Sequence, residues 1–341
     1  MAAIGSTSRF AGAPSSGIIG ALMLTGAKME IDMLRQLASG LVPILLVIAS
    51  VPLIVGAVSI WIRRYRSSRQ SPLTRDFLRP PGHSLRARID EANIDVETSL
   101  LAVMMIPVLA YATHVTQSHF AGLKESLGRT AFLIVLTLLL ILVTTRKLVM
   151  SMQERRRLVL GLEGELATGE ELNQLMLDGC RVFHDVVFPY GNIDHVVVSE
   201  SGVFCVETKM RGKLNTGDGD AKAVVDYDRS VIRFPDGEYR LPIDQLESQA
   251  KWLSEFLSSS VGRSIEVEPI LAFPGWYIER IGRGRILVIN PHKPLKFFRQ
   301  NRSVLSPQAV QQIAHQLEQR CRDVTPSYRK SRRWETAAAK R

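Results

Sequence analysis

The chain of 341 residues has only three cysteines, Cys180, Cys205 and Cys321, widely spaced and without a CxxC pair. That scarcity excludes a disulfide framework and a cysteine zinc site, and it suits a reducing compartment. Basic charge is also scarce over much of the chain. The formal net charge is +10, yet residues 151–279 hold 13 Lys and Arg against 22 Asp and Glu, whereas residues 280–341 hold 15 against 3. The basicity of this half is confined to its C-terminal end, where it suits nucleic-acid phosphates and an anionic inner leaflet equally. No recognition helix or stacking platform is evident. Asp218 and Asp220 in "TGDGD" lack the remainder of a calcium loop and read as turn residues.

Charge is missing altogether from Leu41 to Ile62, 22 residues that can cross a hydrocarbon core of roughly 30 Å. Thr130 to Thr145 is nearly as apolar and spans if its flanks join it. Ser99 to Val115 is interrupted by Pro107 and His114; it reads as a further span, with a re-entrant or interfacial segment as the alternative. The expected organisation is a flexible segment 1–40 and a transmembrane region 41–150 with spans at 41–62, 98–116 and 130–147. The connection from Arg63 to Glu97 is rich in arginine (63, 64, 66, 69, 75, 79, 86 and 88), as is the stretch following the last span. By the positive-inside rule both face the cytoplasm. This predicts a multi-pass protein of the inner (cytoplasmic) membrane, held in the lipid bilayer, with everything after about Arg146 inside.

From Leu158 the pattern turns amphipathic. Leu162, Leu166, Leu172 and Leu175 predict a helix of about four turns ending at Gly179. "CRVFHDVVF" predicts a strand, and Gly191 to Lys209 a hairpin. Val224 to Phe234 and Glu238 to Leu241 flank the turn signal "PDG". Ile243 to Leu257 predicts a helix, "VEPILAFPG" and "RILVINP" predict buried strands, and Pro307 to Arg322 predicts a last helix before a basic tail, 324–341. The order gives a mixed α/β domain over 158–323.

The hairpin "GNIDHVVVSESGVFCVETK" carries charge near its outer ends. With a four-residue turn, Ser199 to Gly202, Val198 pairs with Val203 and Asp194 stands opposite Glu207; with a two-residue turn Asp194 faces Lys209. Either register puts Asp194, Glu207 and Lys209 on one face, and His195, with Ile193 and Val197, on the other as a buried structural histidine. Two carboxylates within about 5 Å repel unless a cation lies between them. Hard oxygen ligands suit Mg²⁺ or Mn²⁺, and a neighbouring lysine can orient or deprotonate the attacking water and oppose charge growing on a phosphate. The alternative is a solvated surface ion pair worth under about 1 kcal/mol.

Beyond spacing, Gly164 to Gly212 resembles the nuclease-related domain family, NERD, a branch of the PD-(D/E)xK nucleases. The resemblance rests on "GE" at Gly164-Glu165, "GNIDHVVV" at Gly191 to Val198, "SGVFCVETK" at Ser201 to Lys209 and Gly212. It continues more loosely through "LPIDQ", where Leu241 departs from the usual asparagine, to "VEPILAFPG". The resemblance implies a restriction-endonuclease-like α/β fold, a mixed sheet flanked by helices. It implies Asp194 and Glu207 as metal ligands and Lys209 as the catalytic lysine. Glu165 would be a further acidic group facing the site, and Gln245 a polar contact to metal or phosphate. The expected function is Mg²⁺-dependent hydrolysis of DNA or RNA, with a catalytically silent nucleic-acid-binding or scaffolding module as the alternative.

Overall fold

The computed structural model describes residues 49–50, 52–65, 72–117, 126–213, 221–298 and 303–326. The chain divides into two compact units, one comprising Met1–Ser68 and Ala102–Val143, the other Arg69–Leu101 and Thr144–Arg341. Two long helices contribute residues to both: α1, His83–Val115, and α2, Leu127–Asn173.

In the first unit, residues 52–65 are helical; positions 41–48 and 51 of the expected span 41–62 lie outside the described residues, as do the N-terminal segment 1–40 and most of the basic tail. Helices α1 and α2 are each long and apolar enough to cross a membrane. Met104, Val108 and Leu109 of α1 and Leu138, Leu139 and Leu142 of α2 are largely exposed. α1 is continuous through Pro107, which forgoes one backbone donor without ending the helix.

The second unit is built on a five-stranded sheet. Its strands are β2 (Arg181–Phe188), β3 (Gly191–Ser199), β4 (Gly202–Thr208), β8 (Val267–Ala272) and β10 (Leu287–Ile289), in the order β10-β8-β4-β3-β2. The meander β2-β3-β4 is antiparallel, whereas β4, β8 and β10 run parallel. Helix α3 (Ile243–Val261) and helix α5 (Pro307–Cys321) cover one face. Leu253, Leu257, Ile313 and Leu317 pack there on Val196, Val198 and Cys205. The other face is closed by Leu172 and Leu175, at the end of α2 and in the 3₁₀ turn Gln174–Asp178, and by Phe298, which ends the short helix α4 (Leu295–Phe298). A four-stranded sheet lies beside it, with β5 (Lys222–Asp226), β6 (Val231–Phe234), β7 (Gly237–Arg240) and β9 (Tyr277–Ile281) in the order β7-β6-β5-β9. A two-stranded pair joins β1 (Phe77–Leu78) to β11 (Arg322–Val324). This is the expected mixed α/β architecture with a helical N-terminal region.

Three details differ from the sequence pattern. The helix expected from Leu158 is the last part of α2, because nothing between Thr145 and Leu158 breaks helix geometry. Val224 to Phe234 is two strands with a turn at 227–230, and Ser230 takes a positive φ of 54°. Strand β9 was not expected because its residues are mostly exposed and form no apolar run.

One buried polar pair has a pH consequence. His184 and His195 face each other across β2 and β3 with their Nδ1 atoms 2.8 Å apart, and His184 Nε2 lies 3.1 Å from Asn173 Oδ1. An amide oxygen only accepts, so His184 donates from Nε2 and its Nδ1 accepts from His195 Nδ1–H. Burial pulls His184 down to about 4, against a smaller upward pull from Asp185. Burial, and then His184, hold His195 well below its ordinary range. Because the folded-state value is depressed, the stabilisation is present above pH 6.5 and is lost as pH falls toward 4, on the order of 3 kcal/mol for His184. Urea midpoints measured down that range should fall, and fall less steeply in a His184→Gln variant. Equal slopes would refute the assignment.

Candidate active site

The hairpin adopts the four-residue-turn register, with Val198 paired to Val203 and Ser199 to Gly202. The ladder ends at His195 and Val206, one residue short of Asp194 and Glu207. In place of a further ladder bond, Asp194 Oδ2 accepts from the Thr208 backbone N–H at 2.7 Å.

The preceding strand is irregular at the same level. Asp185, with φ 53°, lies between the pairs His184–His195 and Val186–Ile193, opposite Asp194. Side chains 183 and 186, and likewise 193 and 196, pack in one cluster, an odd separation that strict alternation forbids. Ile193 therefore joins Val196 and Val198, not His195 as alternation predicted. Asp194 nevertheless stays on the cleft side.

A cleft of about 620 Å³ gathers all five expected residues: Glu165 from α2, Asp194 from β3, Glu207 from β4, Lys209 just after it and Gln245 from α3. A larger groove, about 790 Å³, lies between α3, β8 and the loop after β9; it holds none of them. Glu207 is the hub of the cleft. Its Oε1 accepts from Lys209 Nζ at 2.6 Å and from Gln245 Nε2 at 2.8 Å, and its Oε2 accepts from Gln249 Nε2 at 2.8 Å. Gly164 explains why a glycine precedes Glu165: a Cβ there would stand 2.6 Å from Met210 Cβ, so only glycine lets α2 approach the chain leaving β4.

Among the described residues Lys209 is the one cation that acts on the carboxylates Glu165 and Asp194. Burial, then Asp185 and Glu207, raise Glu165 to about 7 against opposing pulls from the Gly82 N–H and Lys209. Asp194 is held well above the usual carboxylate range by burial and by Glu207 and Glu165. Burial lowers the Lys209 ammonium, but Glu207, Asp194 and Tyr239 together outweigh it and the net direction is upward. Two buried oxygens, Glu165 Oε2 and Gln249 Oε1, have no hydrogen-bond partner. Among the described residues no group of three His, Cys, Asp or Glu side chains is gathered to hold a metal ion.

Four cleft residues were not anticipated: Arg88, Arg157, Tyr190 and Gln249. Gln249 follows Gln245 by one helical turn, a spacing the sequence does show. Arg157 stands two turns before Glu165 on the same face of α2. Arg88 was accounted for by membrane topology alone, and Tyr190 is a turn residue with no pattern around it.

Comparison with curated proteins gave no match, and comparison with solved structures gave none. Residues 160–274, which include all five gathered side chains, match the family model described as NERD, nuclease-related domain, and the chain thus carries a nuclease-related domain.

Proposed function

We propose that the chain is a membrane-anchored, divalent-metal-dependent nuclease acting on phosphodiester bonds of DNA or RNA. The observation that supports it is the convergence of three buried carboxylates and one lysine on a single cleft in the nuclease-related domain. The donor set fits a hard cation. All candidate ligands are oxygens, two carboxylates are pushed upward by burial and by neighbouring carboxylates, and two buried oxygens are unpartnered. Asp194 and Glu207 would hold Mg²⁺ or Mn²⁺, which when bound supplies Lewis acidity to the phosphate and acidifies water. Gln245 and Gln249 fix the Glu207 carboxylate. Lys209, kept charged, offers its ammonium where negative charge grows on the phosphate, a role its raised pKa favours over that of a base. Helices α1 and α2 would anchor the unit, with the domain on the cytoplasmic side and basic C-terminal residues near nucleic acid or the inner leaflet.

A second reading has its own support. Both Glu207 oxygens are already engaged, and no three-ligand group is present among the described residues, as in a silent binding or scaffolding module. The full chain in detergent separates the two. With Mg²⁺ it should cut DNA or RNA and stop on addition of chelator. Absence of cutting on every substrate together with no divalent-ion binding defeats the enzyme reading.

A further inference from the structure

The part of the cleft that the family-matched segment supplies carries three carboxylates, Glu165, Asp194 and Glu207, against one lysine, Lys209, yet the proposed substrate is a polyanion. Further positive charge reaches the cleft from outside that segment at two points. Arg88 of α1 and Arg157 of α2 line the same cleft as Asp194, Glu207 and Lys209. On α2, Glu165, Gly161 and Arg157 are spaced four residues apart and share one face, so Arg157 stands about 12 Å along the axis from Glu165. On α1, Leu85 and Arg88 are one turn apart. The helices meet where Gly161 faces Leu85, since a Cβ on Gly161 would touch Leu85 Cδ1 at 3.4 Å. That close approach brings Arg88 and Arg157 to the same cleft.

Both are available to a ligand. Arg157 is exposed and has no ion-pair partner among the described residues. Arg88 reaches Glu154 at 3.5 Å, with both side chains at least half-exposed, a pairing weak enough for a phosphate to replace. The same cleft is lined by Tyr190, 87% exposed, its ring edge-on to Phe188, which in turn packs on Trp252. An open aromatic face beside a basic track is the arrangement that binds single strands without reading sequence. The cleft volume, about 620 Å³, lies in the range of sites that hold a small molecule, room for a nucleotide or two of one strand.

We infer that Arg88, Arg157 and Tyr190 form a single-strand path leading to the proposed site, which accordingly takes single-stranded nucleic acid or a frayed strand end. The inference rests on the nuclease reading above. The arginines bind the phosphates beside the scissile one, and Tyr190 stacks a base.

The test uses the full chain in phosphatidylcholine nanodiscs, where the oligonucleotide is the only polyanion, with Lys209→Met to suppress turnover and Mn²⁺ present. Fluorescence anisotropy of a labelled oligothymidylate and of a blunt hairpin duplex should show the single strand bound at least roughly tenfold more tightly. Arg88→Ala/Arg157→Ala should weaken strand binding roughly tenfold, and should flatten the dependence of log affinity on log salt by about 1.4. Arg88→Lys/Arg157→Lys should retain most of the binding, and Tyr190→Ala should lose roughly tenfold. Mn²⁺ binding, read from the free-ion paramagnetic resonance signal, should not change in any of these. Unchanged strand binding in the alanine double variant, or duplex bound as well as single strand, overturns the proposal. So does unchanged strand binding accompanied by weaker association with phosphatidylglycerol vesicles, which assigns the arginines to lipid. If the otherwise unmodified chain binds no Mn²⁺, the metal reading fails and takes the strand path with it. If Mn²⁺ binds and the arginines do not matter, only the strand path fails.

Discussion

Glu207→Gln is expected to reduce phosphodiester cleavage by roughly 10³-fold or more while leaving the unfolding temperature unchanged or higher. The loss follows from removing a charged ligand and the partner that keeps Lys209 in place. The retained stability follows from the hydrogen bonds around it. Glu207 accepts from both Gln245 and Gln249, and Gln249 Oε1 is a buried acceptor with nothing to accept. A glutamine at 207 can donate to that oxygen if the Gln249 amide turns over, which exchanges the unpartnered Gln249 oxygen for its Nε2 and gives up only the long 3.5 Å contact with Asn192 O, so the number of orphans does not rise. Removing the negative charge also relieves Asp194 and Glu165, both of which Glu207 pushes upward. Initial rates with Mg²⁺ and a thermal melt of the same preparation decide it. A variant that melts normally and cuts within roughly tenfold of the parent would show that Glu207 does not hold the ion.

Asp185→Ala is expected to destabilise the second unit by about 3–5 kcal/mol, the largest stability effect in the domain. Asp185 is fully buried and takes four hydrogen bonds. Ser84 N–H (3.2 Å) and Asn192 Nδ2 (3.0 Å) donate to Oδ1, and Arg79 Nη1 and Ser84 Oγ (each 2.7 Å) donate to Oδ2. Alanine would strand the Ser84 and Asn192 donors and leave Arg79 only Asp323, which it grips with two parallel bonds at 2.7 and 2.6 Å, and the backbone oxygen of residue 185 at 3.4 Å. It would also leave the left-handed backbone at φ 53° without the local side-chain hydrogen bonds by which Asp and Asn tolerate it, adding about 1 kcal/mol. Asp185→Asn keeps an acceptor and tolerates that backbone, so it should lose clearly less. Urea unfolding of the full chain measures both. If alanine and asparagine lose equal amounts, the loss does not come from stranded donors or strained backbone.

The gathering of Asp194, Glu207 and Lys209 was legible in the hairpin because a period of two is rigid over so short a distance. It held even though the odd placement of Ile193 shows that the strands do not alternate throughout. That irregularity was hidden because Asp185 reads as one polar residue in an apolar strand, and a positive φ leaves no mark on composition. Glu165 and Gln245 were legible only through family resemblance, since a lone helical Glu or Gln has no local pattern. Arg79, Ser84 and Arg88 could not be found by any periodic reading. Asp185 lies 106 residues from Arg79 and 101 from Ser84, the partner of Arg88 is on another helix, and the positive-inside rule already gave the arginines a sufficient explanation. The continuity of α2 was missed for the opposite reason. Bulk apolarity and amphipathic spacing look like two elements, although no helix-ending residue separates them.

The pairing of Phe77 with Val324, and of Arg79 with Asp185 and Asp323, sets an order in time. A ribosome adding about 5–20 residues per second makes the segment at 77–88 wait roughly 10–50 s for its last partner. During that interval both apolar helices leave the tunnel. The cleft therefore closes only after they have been made, and a nascent chain cannot assemble its carboxylates while those helices are still to be synthesised.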